Sequence, residues 1–214
     1  MTAAYVHALP GLLGKGLAAT AGISAAAMGI ALAGGFAIGL LRVFRNPFLN
    51  AAALVYVELL RGIPLLVLMF FVCFGLPQLG LQIEAVPAAV IALGLWGAAN
   101  GAEIVRGALN SIPAGQSEAG AALGLGTLEI AATIVLPQAL RRTVAPFMSL
   151  FTAIVESSSL AALIGVKEIL ETVRVDIEND ASLWTPLLLT ALLLYFAINY
   201  PISLLSQRFE RSLS

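Results

Sequence analysis

The hydrophobic pattern divides the chain into five long apolar stretches separated by short polar segments, at about residues 16–41, 49–76, 85–106, 143–165 and 183–205. A helix needs about 20 mainly apolar residues to cross a bilayer. The second stretch is irregular, because its uninterrupted apolar part, residues 63–76, is too short to span and its helix must begin near Leu49. Gly62 and Pro64 predict a kink in that helix. We therefore predict an all-α integral membrane protein with five transmembrane helices in a single domain.

The composition agrees with a protein surrounded by membrane lipid. Hydrophobic residues make up 60% of the chain and charged residues only 11%, about half the charged share of a soluble domain. The net charge of −1 implies no strong attraction to nucleic acid. The first span also carries three pairs of small residues four positions apart, Ala18/Gly22, Ala25/Gly29 and Gly35/Gly39. Such pairs allow helices to pack closely in lipid. The alternative is that they are only part of an alanine-rich span.

No catalytic or nucleotide-binding motif is visible in the sequence. Gly14 and Lys15 lack the upstream Gly and the following Ser or Thr of a phosphate-binding loop, so we expect this chain to bind no cofactor and no metal. The chain has one histidine, His7, and neither the HExxH nor the GxSxG motif, which disfavours an intramembrane enzyme. A stand-alone carrier would usually have more spans and an internal repeat.

The polar interval at residues 107–137 contains the most specific pattern, EAGAALGLGTLEIAATIVLP at residues 118–137. The alanines at its start favour helix, and Gly124 and Gly126 then interrupt that helix. A second helix follows and leads to Pro137. We predict a compact surface knob between two spans.

This stretch resembles the EAA loop of the permease subunits of ABC importers, which reads Glu-Ala-Ala, three residues, Gly, nine residues, Ile, one residue and Leu-Pro. Six positions agree, and Gly120 replaces the second alanine: the matches are Glu118, Ala119, Gly124, Ile134, Leu136 and Pro137. The resemblance implies that the knob docks into an ATPase subunit through Glu118, Ala119, Gly120, Leu123, Gly124, Leu125 and Gly126. The alternative is an ordinary amphipathic connector.

Two further stretches resemble the polar amino-acid branch of the same family, which takes up histidine, arginine, glutamine or glutamate. Residues 58–68 read ELLRGIPLLVL, with Ile63 and Leu68 where Thr and Gln are usual. Residues 102–107 read AEIVRG, with Asn100 where Tyr is usual. The resemblance implies a type I ABC importer permease fold and an amino-acid substrate, with an opine or ectoine-like compatible solute as the alternative.

The same resemblance implies partner subunits. A second permease subunit, identical or homologous, would complete the membrane part of the importer. A cytoplasmic ABC ATPase dimer would bind ATP and Mg, and an extracytoplasmic solute-binding protein would deliver the substrate. The outer acidic loop at residues 167–181 is a candidate contact for that protein, because its acids can steer association. The alternative is a loop that is merely solvated. The acids of this loop are Glu168, Glu171, Asp176, Glu178 and Asp180.

Polar residues within the spans are candidates for the substrate path, because ionisable groups in a bilayer are costly: Glu58, Arg61, Asn100, Glu103, Glu156, Ser157 and Ser158. Glu58 with Arg61 and Glu103 with Arg106 are three residues apart and can pair, which favours a structural or gating role. Glu156 lies about 21 Å along its helix from Arg142 and has no basic partner in its own span. It faces a polar cavity, or it joins its serines in a helix–helix hydrogen-bonding cluster.

The distribution of basic residues predicts the orientation in the bacterial cytoplasmic membrane. If the residue 107–137 loop is cytoplasmic, that side carries seven arginines against three basic residues outside, in agreement with the positive-inside rule. The cytoplasmic set is Arg42, Arg45, Arg106, Arg141, Arg142, Arg208 and Arg211, and the outer set is Lys15, Lys167 and Arg174. The N-terminus is then outside and the C-terminus cytoplasmic.

Overall fold

The computed structural model describes residues 2–42 and 46–211, and in that part the chain is helical with no β-strand. Arg45, one of the arginines counted above, lies outside the described residues. The α-helices are α1 Thr2–Pro10, α2 Leu17–Leu41, α3 Pro47–Gly62, α4 Leu65–Phe70, α5 Leu76–Gln78, α6 Ala85–Asn110, α7 Ala114–Ala122, α8 Thr127–Ile130, α9 Leu136–Ser157, α10 Ile169–Asn179 and α11 Trp184–Arg211. Wide π-type turns join α1 to α2, α4 to α5 and α8 to α9, and the 3-10 turns Ser158–Ile164 and Ala181–Leu183 flank α10.

Four continuous helical stretches in the described part are long and apolar enough to cross a membrane: Ala4–Leu41, Ala85–Asn110, Thr127–Ile164 and Ala181–Arg211. The pair Pro47–Gly62 and Leu65–Gln78 meets the same criterion together but is bent by 102°. These segments correspond to the five predicted stretches. The predicted kink is confirmed and is sharper than expected, because Pro64 forces Ile63 into an extended conformation (φ −82°, ψ 130°) that ends the helix.

Proline also explains two of the wide turns. The turn Phe71–Gly75 precedes Pro77, and the turn Ala131–Val135 precedes Pro137. A proline has no N–H to donate, and its ring clashes with the carbonyl four residues earlier in a regular helix. Opening the helix by one residue relieves that clash while the helix axis continues. The helix between the predicted knob and the fourth span is therefore continuous.

The contact between α2 and α6 is close enough that glycine is required on both helices. A Cβ atom on Gly35 would lie 2.9 Å from the Cα of Gly101, and one on Gly39 would lie 2.9 Å from the carbonyl oxygen of Ala102. In contrast, no atom lies within 4 Å of a Cβ built on Gly22 or Gly29. Of the three predicted small-residue pairs, the glycines of Gly35/Gly39 make the close contact, while Gly22 and Gly29 do not.

Two buried apolar clusters hold the helices together. The larger one lies among α2, α4, α6 and α9 and includes Met69, Leu93 and Ile154, all fully buried. The smaller one joins Leu12 to α10 and the start of α11. We call the end of the bundle that carries α7 and α8 the coupling end, and the end that carries α10 the distal end.

Candidate functional site

The knob at the coupling end has the predicted structure of a helix, a glycine break and a second helix. Helix α7 ends where the N–H of Leu125 donates to the carbonyl of Gly120 at 3.2 Å and the N–H of Gly124 donates to Ala121 at 3.0 Å. Gly124 has φ +82°, the left-handed conformation that closes a helix in this hydrogen-bond pattern. The interruption predicted at Gly124 is confirmed.

The replacement of alanine by Gly120 has a steric reason within the knob. Gly120 is buried, and a Cβ atom there would lie 2.9 Å from Cδ1 of Ile134 and 3.0 Å from Cγ1 of Ile130. Both isoleucines belong to the second helix of the knob. A glycine at this position therefore lets the two helices pack more closely than an alanine would.

The knob presents apolar side chains to its surroundings. Leu123 is 81% exposed and Leu128 is 84% exposed. Glu118 and Ala119, both on α7, are exposed as well. Large apolar side chains exposed to this degree are typical of a site of protein association. Leu128 was not among the predicted site residues, because no pattern distinguishes an exposed leucine from a buried one in so short a helix.

The knob is tied to the fourth span by a side chain as well as by the continuous helix. Arg142 on α9 donates from Nη1 to the carbonyl of Ser111 at 2.7 Å and to its hydroxyl at 2.9 Å. Ser111 lies at the end of α6, immediately before α7. One end of the knob is thus bonded to Arg142 through Ser111, and the other end continues along the helix that carries Arg142. These two connections hold α7 in position relative to α6 and α9.

An ionic cluster joins α2 and α6 near the coupling end. Arg106 and Glu103 form the predicted pair, with 2.7 Å between Nη2 and Oε2, and Arg42 forms a second ion pair with Glu103. The pairing with Arg42 was missed because these residues are far apart in the sequence. Glu58 and Arg61, by contrast, form no ion pair with each other.

An open cavity of about 490 Å³ lies among α3, α6 and α9, and apolar side chains form the larger part of its lining. It brings together three of the predicted path residues, Arg61, Asn100 and Glu103, with Trp96 and Ser149 completing the polar part of its wall. Trp96 and Ser149 were not predicted as site residues. Helical spacing places Trp96, Asn100 and Glu103 on one face of α6, which is the signal that could have included Trp96.

The other predicted path residues do not line this cavity. Glu156 is exposed on α9, ten residues beyond Pro146 and seven beyond Ser149, so it continues the cavity face toward the distal end. Ser158 is fully buried and donates to the carbonyl of Val155 at 2.7 Å. Ser157 is half-buried, and Glu58 lies outside the cavity wall.

At the distal end, the structure corrects the idea that all five loop acids face the solvent. Glu168 is fully buried, and its carboxylate accepts from the Tyr195 hydroxyl at 2.6 Å, the Glu171 N–H at 2.8 Å and the Thr20 hydroxyl at 3.5 Å. Burial raises the pKa of Glu168, and these hydrogen bonds oppose that rise. Glu171 is also buried and pairs with Arg174 at 2.6 Å.

The loop acids are divided in this way because α10 is an amphipathic helix that directly follows Glu168. Its first turn needs an acceptor for free N–H groups, and Glu168 supplies one as the N-cap. Only Asp176, Glu178 and Asp180 remain at least partly exposed. Residues 2–42 and 46–211 contain no group of His, Cys, Asp and Glu side chains placed to hold a metal ion.

The fold and these features define a class of protein. A bundle of membrane-spanning helices that has charged side chains in an open cavity and a knob attached at one end is the arrangement expected of a component of a membrane transport system. Residues 21–214 match the family described as "Binding-protein-dependent transport system inner membrane component". The chain belongs to this family and is the permease subunit of an ABC transporter, a multi-pass protein of the inner membrane.

Individual relatives agree with this assignment. The chain is 39% identical over 178 residues to the "Probable glutamine ABC transporter permease protein GlnP" of Bacillus subtilis (strain 168), covering 82% of each chain. It is 40% identical over 146 residues to the "Glutamine transport system permease protein GlnP" of Escherichia coli (strain K12), covering 65% of this chain and 67% of that one. The solved structure "Crystal structure of an amino acid ABC transporter with histidines" has a TM-score of 0.91 at 26% identity, covering 97% of this chain and 96% of that chain.

Proposed function

We propose that this permease imports an amino acid, and that the cavity among α3, α6 and α9 is part of its path. The observation that supports this most directly is the chemistry of the cavity wall, which holds one cationic side chain, Arg61, and one carboxylate, Glu103. A free amino acid carries a carboxylate that Arg61 can pair with, whereas its ammonium group would have to share the Glu103 carboxylate with Arg42 and Arg106. The names of the relatives given above point to glutamine among the amino acids.

The proposed importer also requires partners that this chain does not contain. A solute-binding protein delivers the amino acid at the distal end, a second permease subunit completes the path, and an ATPase dimer with ATP and Mg docks at the coupling end. The exposed leucines of the knob, with Glu118, form the proposed ATPase contact. The continuous α8–α9 helix and the bond from Arg142 to Ser111 then carry the movement of the ATPase to the spans.

Reconstituted uptake tests the substrate assignment. Vesicles containing this permease with its cognate ATPase and solute-binding protein should accumulate glutamine in an ATP-dependent manner. An excess of unlabelled ectoine or octopine should leave glutamine uptake unchanged. Accumulation of the compatible solute or the opine, with no accumulation of any amino acid, would contradict the proposal.

Arg61 provides a test of the path itself. It forms no ion pair in the described part of the chain, so Arg61→Gln removes its charge without leaving a carboxylate unpaired. A hydrogen bond to a charged group contributes about 1.5–3 kcal/mol. We therefore expect the KM for uptake to rise about tenfold or more, while membrane expression stays normal. The matched control is Arg208→Gln, at the exposed end of α11, and equal KM values for the two variants would exclude Arg61 from the path.

The orientation is likewise a proposal, with the N-terminus outside and the C-terminus in the cytoplasm. It is supported by the excess of arginines at the coupling end. Cys73 is buried and can be replaced by alanine. In that background, Thr127→Cys should react with an impermeant thiol reagent only after the cells are opened, because Thr127 is exposed at the coupling end. Ser182→Cys, exposed at the distal end, should react in intact cells, and the reverse pattern would invert the orientation.

A further inference from the structure

A second groove in the bundle is apolar and is separate from the cavity among α3, α6 and α9. It has a volume of about 540 Å³ and lies between α2, α9 and α11. Its walls include Met28, Leu32 and Phe36 from α2 and Val144, Met148 and Phe151 from α9. Among the described residues of its wall, the only polar side chain is that of Thr143, whose hydroxyl donates to the carbonyl of Leu140 at 2.8 Å. No polar group of the groove therefore needs a partner from a ligand.

The groove has the length of one leaflet of a bilayer. Its wall on α9 runs from Leu140 to Phe151, which is about 16 Å at 1.5 Å per residue. The hydrocarbon core of a bilayer is about 30 Å thick, so the groove extends from one interface to about the midplane. It begins at the coupling end, where Leu140 adjoins Arg141 and Arg142. A straight acyl chain of a phospholipid matches this depth.

The walls suit a flexible hydrocarbon chain. Phe36 and Phe147 stack with 5.3 Å between ring centroids and form a flat side, and Met28 and Met148 supply adaptable side chains. Because free lipid tails are as apolar as these side chains, a chain in the groove gains no hydrophobic energy over bulk lipid. Retention of one particular lipid must therefore come from close packing and from its headgroup.

Arg141 is placed to bind that headgroup. It is exposed and has no ion pair or hydrogen bond within residues 2–42 and 46–211. It lies three residues before Val144 and seven before Met148, so it belongs to the same stripe of α9 that lines the groove. Its neighbour Arg142 is already bonded to Ser111. A free guanidinium beside the mouth of an apolar groove is complementary to a phosphate.

We propose that this groove binds one acyl chain of an anionic phospholipid, with its phosphate paired to Arg141. The assignment to the cytoplasmic leaflet rests on the proposed orientation, whereas lipid binding depends on neither the substrate nor the direction of transport. The site makes the lipid a constituent of the surface formed by α2, α9 and α11, beside the point where α2 and α9 meet through Phe36 and Phe147.

Native mass spectrometry of the purified chain tests the proposal. Phosphatidylglycerol and phosphatidylcholine with identical acyl chains are added in turn, and the retained lipid is counted as detergent is removed. The wild-type chain should keep one phosphatidylglycerol at collision energies that strip phosphatidylcholine. Val144→Trp, which fills the groove, should lose this lipid. Arg141→Gln should bind the two lipids equally, and the control Leu193→Trp, exposed elsewhere on α11, should behave as wild type.

Two results would overturn the proposal. One is equal retention of phosphatidylglycerol by Val144→Trp and wild type. The other is a change in the dimer fraction of Val144→Trp with no change in lipid, which would mean that a second copy of the chain covers the groove. If Val144→Trp fails to fold, a photoreactive phosphatidylglycerol should label wild-type residues 28–36 or 140–151, and labelling confined to other segments would also exclude the site.

Discussion

Replacing Gly124 by valine should stop transport while the chain still inserts into the membrane. Gly124 has φ +82°, and no atom lies within 4 Å of the position of its Cβ, so the cost comes from the backbone and not from a clash. A side chain in this left-handed conformation costs about 1–3 kcal/mol, and β-branching places valine at the high end. The turn between α7 and α8 should change direction and move Leu123 and Leu128 relative to each other. The proposed ATPase contact would then lose its shape.

The measurement is co-purification of the ATPase together with ATP-dependent uptake in vesicles. We expect uptake to fall to background, with ATPase association either lost or retained without transport. Gly126→Ala is the matched control, because Gly126 has φ −72° and also has open space around its Cβ position. It should retain most of the uptake. Normal association and normal uptake in Gly124→Val would show that this loop is only a connector between two spans.

Replacing Gly35 by leucine should prevent the bundle from assembling. A Cβ on Gly35 would lie 2.9 Å from Cα and 3.0 Å from the carbonyl carbon of Gly101, and a backbone cannot move aside as a flexible side chain can. Overpacking a well-packed interior costs about 1–3 kcal/mol, and a contact with backbone on both sides should exceed that range. The leucine would separate α2 from α6, break the ion pair between Arg42 and Glu103, and open the larger apolar cluster.

The matched control is Gly29→Leu, six residues earlier on the same helix, where no atom lies within 4 Å of the Cβ position. Both variants add the same apolar volume to one span, so their insertion into the membrane should be alike. Thermal unfolding in detergent should separate them, with a lowered midpoint or no folded protein for Gly35→Leu only. Equal midpoints would mean that α2 and α6 do not need this approach.

Local patterns predicted the features that depend on neighbouring residues. Long apolar stretches indicated the spans because each helix must satisfy its own backbone hydrogen bonds in lipid. Gly124 indicated the end of α7, and Gly62 with Pro64 indicated a break, because the backbone preferences of glycine and proline act where they stand. The pairing of Glu103 with Arg106 was predictable for the same reason, since residues three apart meet on one helix face.

The cavity shows where such reasoning stops. Asn100 and Glu103 were identified as polar residues within a span, but nothing in their spacing indicated that Arg61 would face them from α3. The sequence indicated that only some of residues 156–158 can face one cavity but not which of them, and in the structure Glu156 is exposed whereas Ser158 is buried. A helix presents neighbouring residues to different sides, and only its packing partners decide which side is the path.

The sequence by itself indicated an all-helical membrane permease, the long apolar stretches of its helices and the glycine break in its knob, because each follows from residues that are close together along the chain. The tertiary structure alone decided which helices touch through glycine, that Arg42 reaches Glu103, and that Glu168 is buried between Thr20 and Tyr195, which are 148 and 27 residues away. Contacts of this kind leave no periodic signal, because a polar side chain has the same letter whether it meets solvent, substrate or another helix. Packing several helices against one another sets those distances, and with them the division between path, docking surface and core.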